Sequence, residues 1–295
     1  EEAMQACPGA TLLGHANYVG PKWETGDYSA RTYDDHGVQE CLVSFLAGPE
    51  AGEIRMGQAR EALAKVRPEY DMAAYEGGPG GFALPGRADA RQVETNERYD
   101  KSLAQAVGAV DGWMRSYLYG WSEQCYFSYG QGNHWNSHSV FSQGFRSSPA
   151  WLAMTIRNRW AAGDLVAVEE RGVPTIRRGK ADLPLVGAYA FRDAGRYCVL
   201  LVSRKLDGKH DAKDFGDGCT GVRLHLPVSK ASTIELVKLD ADPRLTNREK
   251  MNVTIKSQAV PADALRGGVL EVNAATGGQA GGLPPGAIFL YVITR

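Results

Sequence analysis

Two textures alternate along the first half of the chain. Short apolar runs at about 10–18, 70–76 and 121–129 carry buried-strand patterns and end in glycine or polar residues. Between them, apolar residues recur every three or four positions. That spacing predicts helices at about 37–47 and 50–66, the second with Ile54, Ala62, Leu63 and Val66 on one face. A longer helix is predicted at about 95–118, striped by Leu103, Val107, Val110, Met114 and Leu118. A last one runs from Pro149 to Ala162, with Ser148 as N-cap, Pro149 at the first position and Gly163 as the stop. After Asp164 the helical spacing disappears. Short β-branched runs follow at about 165–169, 185–192, 196–203, 221–226, 233–239, 251–257, 268–272 and 287–293, separated by turn residues. The pattern predicts an α/β part over 1–163 and an all-β antiparallel sandwich over 164–295.

Each of the three strands runs into a loop rich in chemistry-bearing side chains. The first ends at His15, Ala16, Asn17 and Tyr18 and leads into Trp23, Glu24, Asp27, Tyr28, Tyr33, Asp34, Asp35 and His36. The second is Tyr70-Asp-Met-Ala-Ala-Tyr75-Glu76, followed by Gly77-Gly78-Pro79-Gly80-Gly81. The third, with Trp121 and Glu123, runs through Tyr129 into Gly130-Gln-Gly-Asn-His134-Trp135-Asn-Ser-His138. If the strands are parallel neighbours, the three loops meet at one end of the sheet, where α/β enzymes place their sites. Glu76 is the last side chain before four glycines in five residues, which leave open space above the strand.

This arrangement resembles the carboxyl-terminal part of a retaining glycoside hydrolase of the (β/α)8-barrel clan with paired glutamates, in which a β-sandwich follows the barrel. Ala74-Tyr75-Glu76-Gly77-Gly78 looks like the nucleophile at the end of the seventh strand. His15, Asn17 and Tyr18 sit where the sixth strand supplies a neighbour, and Trp121 to Trp135 where the eighth supplies a sugar floor. In the tail, Leu239-Asp240-Ala241-Asp242-Pro243 with Thr246-Asn247, and Leu283-Pro284-Pro285-Gly286-Ala287, resemble late strands of such sandwiches. The resemblance implies Glu76 as catalytic nucleophile and a carbohydrate substrate. It implies substrate contacts from His15, Asn17, Tyr18, Trp23, Tyr75, Trp121, Glu123, Tyr129, His134, Trp135 and His138. It also implies an extracellular or periplasmic location, suited to polysaccharide degradation. Hydrogen bonds from a neighbouring Tyr, His or Asn favour a charged carboxylate.

The chain departs from that family in its second carboxyl. The clan's acid/base Glu follows an Asn on the fourth strand, which this chain does not contain. The Asn96-Glu97 pair reads as helix-start chemistry, and Glu24, Asp27, Asp34, Asp35 and Glu123 are the stand-ins within the chain. Three strands cannot close a barrel of ~250 residues. The expectation is therefore that a partner chain or a cleaved N-terminal segment completes it and brings the acid/base. The start at Glu1-Glu2, with no Met and no signal peptide, fits a processed chain or a piece of something longer. The rival reading is a carbohydrate-binding or structural subunit on the same scaffold, without catalysis.

Composition narrows the alternatives. The 295 residues are 43% hydrophobic and 23% charged, with 13 Tyr and 6 Trp. A net charge of −1 gives no electrostatic case for nucleic acid, and no apolar run spans a bilayer. Of five cysteines, Cys7, Cys41 and Cys125 read as buried thiols, while Cys198 and Cys219 flank a polar loop and could pair. No cofactor is expected. The glycines around His134 and His138 favour a loop over a metal-binding helix face. Asp207 to Asp217, with His210, Asp211 and Asp214, lacks the alternation of a calcium loop and reads as a solvated hairpin. Asn252-Val253-Thr254 fits a glycosylation sequon.

Overall fold

The computed structural model describes residues 6–7, 9–20, 32–46, 52–81, 87–130, 135–178, 181–206 and 218–295. Trp23, Glu24, Asp27, Tyr28, His134 and the whole 207–217 loop lie outside them.

The three expected strands, β1 (Leu12–Val19), β2 (Asp71–Pro79) and β3 (Trp121–Gln124), form one parallel sheet in the order β1-β2-β3. One face of that sheet is covered by helices α1 (Asp35–Val43), α2 (Gly52–Val66), α3 (Ala90–Asp100), α4 (Leu103–Leu118) and α5 (Pro149–Trp160). The central one is α4, buried on every side from Leu103 to Met114. Small residues let its neighbours approach. A Cβ on Gly108 would come within 2.3 Å of Ser44 Oγ beside α1, and one on Gly112 within 2.5 Å of Val19 on β1.

The long helix expected at 95–118 is two helices. Asp89 opens α3 with a capping box, accepting from Gln92 N–H while the Gln92 side chain accepts from Asp89 N–H. At the break, Ser102 Oγ donates to Tyr99 O and accepts from Gln105 N–H, capping α4. Asn96 and Glu97 therefore lie inside α3, buried at 4% and 2%, and are not helix-start residues.

The second half is a six-stranded antiparallel sheet in the order β11-β10-β13-β8-β7-β4. Its strands are β4 (Asp164–Val166), β7 (Val186–Asp193), β8 (Arg196–Ser203), β10 (Thr233–Leu239), β11 (Lys256–Val260) and β13 (Ile288–Thr294). Alternation divides its side chains between two cores. Cys198, Leu200, Val202, Val237, Ile288 and Leu290 join the helical core, while Val199, Leu201, Leu236, Phe289 and Tyr291 face β9 (Val222–His225) and β12 (Val269–Val272). The layers are thus unequal: two strands cover one face and helices the other. A hairpin of β5 (Thr175–Arg178) and β6 (Ala181–Pro184) was not legible in the sequence. The strand expected at 251–257 begins only at Lys256, because the preceding residues do other work.

That work is a strap at 242–253, between β10 and β11. The Pro243 and Leu245 carbonyls accept from Ala104 and Leu103 N–H, two donors that α4 cannot satisfy within itself. Arg244 pairs with Asp35 at 2.5 Å, and Arg248 forks onto both oxygens of Glu94 at 2.7 and 2.8 Å. Arg146 Nε donates to Asn247 O, and Asn247 Nδ2 donates to Ser147 O. Asn252 Nδ2, the sequon nitrogen, donates to Thr246 O within the same strap. All five cysteines are free, so Cys198 and Cys219 are not bonded; their thiols meet Trp160 O and Gln279 Oε1 instead. Cys7 and Cys125 are exposed, not buried.

Candidate active site

Glu76 owes its direction to a local irregularity. The β1–β2 register passes from His15–Ala74 directly to Ala16–Glu76, so Tyr75 is an extra residue in β2. Before this bulge, Met72 and Ala74 point into the helical core at 0% and 1% exposure. After it, Asn17 and Gly77 form the row facing the helices, where Asn17 Nδ2 donates to Ser116 Oγ of α4 and to Gln124 Oε1, both at 3.0 Å. The preceding row, Ala16 and Glu76, therefore faces the uncovered side. Without the bulge, Glu76 would follow Ala74 into the core. Gly77 is required at its position, since a Cβ there would sit 2.4 Å from Asn17 O.

The Tyr18 phenol lies against Glu76. Burial, then the charge of Glu76 and a hydrogen bond with it, push the Tyr18 pKa up to about 12. The phenol therefore stays protonated and donates to the carboxylate. Tyr18 belongs to a trio of rings: its centroid is 6.3 Å from Phe127 and 6.0 Å from Trp135, which are 6.3 Å from each other. Phe127 is 40% and Trp135 44% exposed. Phe127 reaches the site because pairing continues past β3: Cys125 N–H donates to Ala74 O and Phe127 N–H to Gly77 O, both at 2.8 Å. Tyr75, 61% exposed, lies over Gly14 on the same open side.

The structure thus brings together Glu76, Tyr18, Tyr75 and Trp135 of the expected residues and adds Phe127. Phe127 stands in the third strand-end run, but nothing in its spacing separates it from Tyr126, whose partly buried ring packs against Trp151 and Trp113. Asn17 works behind the sheet, away from the open side. Trp121 is core at 1% exposure and meets His15 only by an edge contact at 6.4 Å. Tyr129 belongs to a second aromatic group with His138 and Trp151. His138 is a buried structural residue: its ring stacks on Phe145, and the Ser137 and Ser147 hydroxyls meet its two nitrogens at 2.7 and 3.0 Å. Burial, with the nearby Lys101 charge, lowers its pKa.

Of the carboxylates considered as partners for Glu76, Asp34 is the N-cap of α1, accepting from Gly37 N–H, and Asp35 is held by Arg244. Glu123 is exposed and pairs in register with Ala73, deeper along the sheet than Glu76. Among the described residues, no group of three or more His, Cys, Asp or Glu could hold a metal.

No protein-family model matches this sequence, and no curated protein matches it in sequence. Solved structures do match its fold. The family 51 arabinofuranosidase from Xanthomonas axonopodis pv. citri superposes with a TM-score of 0.67 at 14% identity, over 96% of this chain and 53% of the enzyme. The α-L-arabinofuranosidase from Thermotoga maritima gives 0.58 at 13% identity, over 97% and 53%. A family 44 xyloglucanase from Paenibacillus polymyxa gives 0.60 at 8% identity, over 100% and 49%. The chain thus spans about half the length of these enzymes, and over that half it shares their fold.

Proposed function

We propose that this chain is the nucleophile-bearing part of a retaining glycoside hydrolase acting on a polysaccharide or glycoside outside the cytoplasm. One observation carries the reading: a bulge turns Glu76 to the open side of a parallel strand's carboxyl end, where a neutral phenol holds it and exposed rings flank that phenol. In this mechanism a Glu76 oxygen attacks the anomeric carbon as the glycosidic C–O bond breaks. The leaving oxygen takes its proton from a second carboxyl ~5–5.5 Å away, and water then releases the sugar with retention. Tyr18 orients the attacking carboxylate, and the faces of Phe127 and Trp135 take the apolar face of a sugar ring. Residues 1–163 carry the chemistry, and the β-sandwich of 164–295 packs on their helices and braces them. An N-terminal segment or partner chain pairs with the outer edges of β1 and β3 and brings the acid/base.

The neighbours' activities set the first substrates to try, an aryl α-L-arabinofuranoside and xyloglucan. Hydrolysis followed by proton NMR should show a first-formed product with the substrate's anomeric configuration. Glu76→Gln should lose turnover by more than about a thousandfold while melting normally. An inverted product, or a Glu76→Gln variant with more than a few per cent activity, contradicts the assignment. The three rings around Glu76, with no second carboxyl placed beside it among the described residues, also suit a non-catalytic carbohydrate-binding subunit. Binding of the same glycans without turnover would favour that reading.

A further inference from the structure

Lys101 is buried at 5% exposure, an unusual place for an ammonium. It sits at the α3–α4 break, and its Nζ donates to the carbonyl of Asn136. That carbonyl belongs to the segment carrying Trp135. The same segment is tied to Phe127's neighbour: Ser128 Oγ donates to Asn136 Oδ1, Ser128 N–H to Trp135 O, and Ser137 N–H to Ser128 O. Phe127 and Trp135 are thereby fastened into one unit, and Lys101 fastens that unit to the helical layer. The ammonium is held from its own side by the charges of Asp100 and Glu97, against the opposing charge of Arg248 on the strap. Asp100 is fully buried, neither of its oxygens has a hydrogen-bond partner, and it leaves Lys101 as the cation beside it.

We infer that Lys101 is a positioning residue for carbohydrate binding, a buried post that sets Trp135 beside Tyr18 and Phe127. The inference rests on the carbohydrate reading of the site. A methionine keeps the apolar stem of Lys101 and removes its three donors. Freed of this tether, the Trp135–Asn136 end keeps its hydrogen bonds to Ser128 but loses its anchor to the helical layer, while Phe127 stays paired with Gly77.

The test uses two readouts on Lys101→Met. The first is the emission of Trp135, isolated as the difference from a Trp135→Phe background. It should shift to the red and become more readily quenched by acrylamide. The second is steady-state hydrolysis of the aryl arabinofuranoside. KM should rise on the order of tenfold, the worth of about one aromatic contact, with kcat within about twofold. If Lys101→Met does not fold, Lys101→Met with Glu97→Gln removes the cation and a neighbouring anion together and is read the same way. Unchanged Trp135 emission and quenching in a folded variant overturns the inference. An equal fall in kcat with unchanged KM also overturns it, because that would place Lys101 in the chemical step. If the wild-type protein hydrolyses and binds no glycoside, the glycosidase reading fails, and the emission arm alone still decides whether Lys101 holds Trp135.

Discussion

The Tyr18 phenol lies against Glu76 and answers its charge with a hydrogen bond. Tyr18→Phe removes one hydrogen bond to a charged group, an interaction of about 1.5–3 kcal/mol. It should lower kcat/KM roughly 10- to 100-fold while leaving the melting temperature nearly unchanged. A variant with full activity would show that the phenol does not hold the carboxylate. Asp100 has no such answer. Burial, only partly offset by Lys101 and reinforced by Glu97, raises its pKa to about 7. A carboxyl whose folded pKa lies above its unfolded one contributes stability that is complete below the unfolded value and is lost as pH rises through the folded one. Between about pH 4 and 7 the native state binds the extra proton, so Asp100 weighs increasingly against folding. Asp100→Asn should therefore gain stability relative to the wild type as pH rises, by a few kcal/mol at pH 8 as an order of magnitude, with little difference near pH 4. Melting curves across that range check it. A gap that does not grow with pH contradicts it.

The elements were legible where periodicity is strong and obscure where tertiary contacts decide. All three parallel strands were readable as elements, but β2 runs on through the expected glycine loop to Pro79, and β3 stops at Gln124, short of the expected residue 129. The Leu103–Leu118 stripe located α4, but the break before it depends on the Ser102 hydroxyl bridging Tyr99 and Gln105, and Ser102 reads in sequence as any polar helix residue. The start of α3 at Ala90, ahead of the expected 95, was missed, although the Asp89–Gln92 capping box marks it. The bulge at Tyr75 has no sequence signature, because it is a property of register between two strands, and that is why Asn17 and Glu76 could not be assigned to opposite faces beforehand. Trp121 was expected in the sugar floor by its residue type, and burial made it core. Close packing offers a test at this scale. Gly108→Ala adds helix propensity, but its methyl would meet Ser44 Oγ at 2.3 Å and the Cys41 carbonyl at 2.5 Å. The overpacking should win by about 1–3 kcal/mol, lowering the denaturation midpoint. A stabilised variant would mean that α1 can move away freely.

At the scale of the whole molecule, the two halves share one helical core and are pinned by a fully buried pair. Arg204 of the β half donates to both oxygens of Asp111 on α4 at 2.8 Å and to Pro184 O, while the Tyr189 hydroxyl donates to Asp111 at 2.7 Å. Burial alone would lower the Arg204 pKa, but the Asp111 charge and hydrogen bonds outweigh it and hold it above the ordinary value. Gly187 makes room, since a Cβ there would sit 2.2 Å from Arg204 Nη2. Removing one partner strands the other charge, so Arg204→Met should cost about 3–5 kcal/mol in denaturant unfolding, and a cost below about 1 kcal/mol would deny the pair this role. The strap reinforces the same junction at the segments that follow each parallel strand, through Asp35, Glu94 and Ser147. What the sheet does not do is close. Its open side carries Tyr75 and Glu76, and β1 and β3 are edges among the described residues. That arrangement is the physical basis for proposing a further segment that brings the acid/base.

The central claim is that Glu76 is a nucleophile, and one property of glycosides lets it be tested apart from the acid/base. A fluoride leaving group departs without protonation, so a 2-deoxy-2-fluoro arabinofuranosyl or glucosyl fluoride needs only the attacking carboxylate to form the covalent adduct. The direct measurement is the intact mass of the purified protein after incubation with these reagents, followed by peptide mapping. The account predicts one added fluoro-sugar per chain, on the peptide containing Glu76, and none on Glu76→Gln. An unlabelled wild-type protein that still hydrolyses the corresponding glycoside, or a label on any other carboxylate, would contradict it.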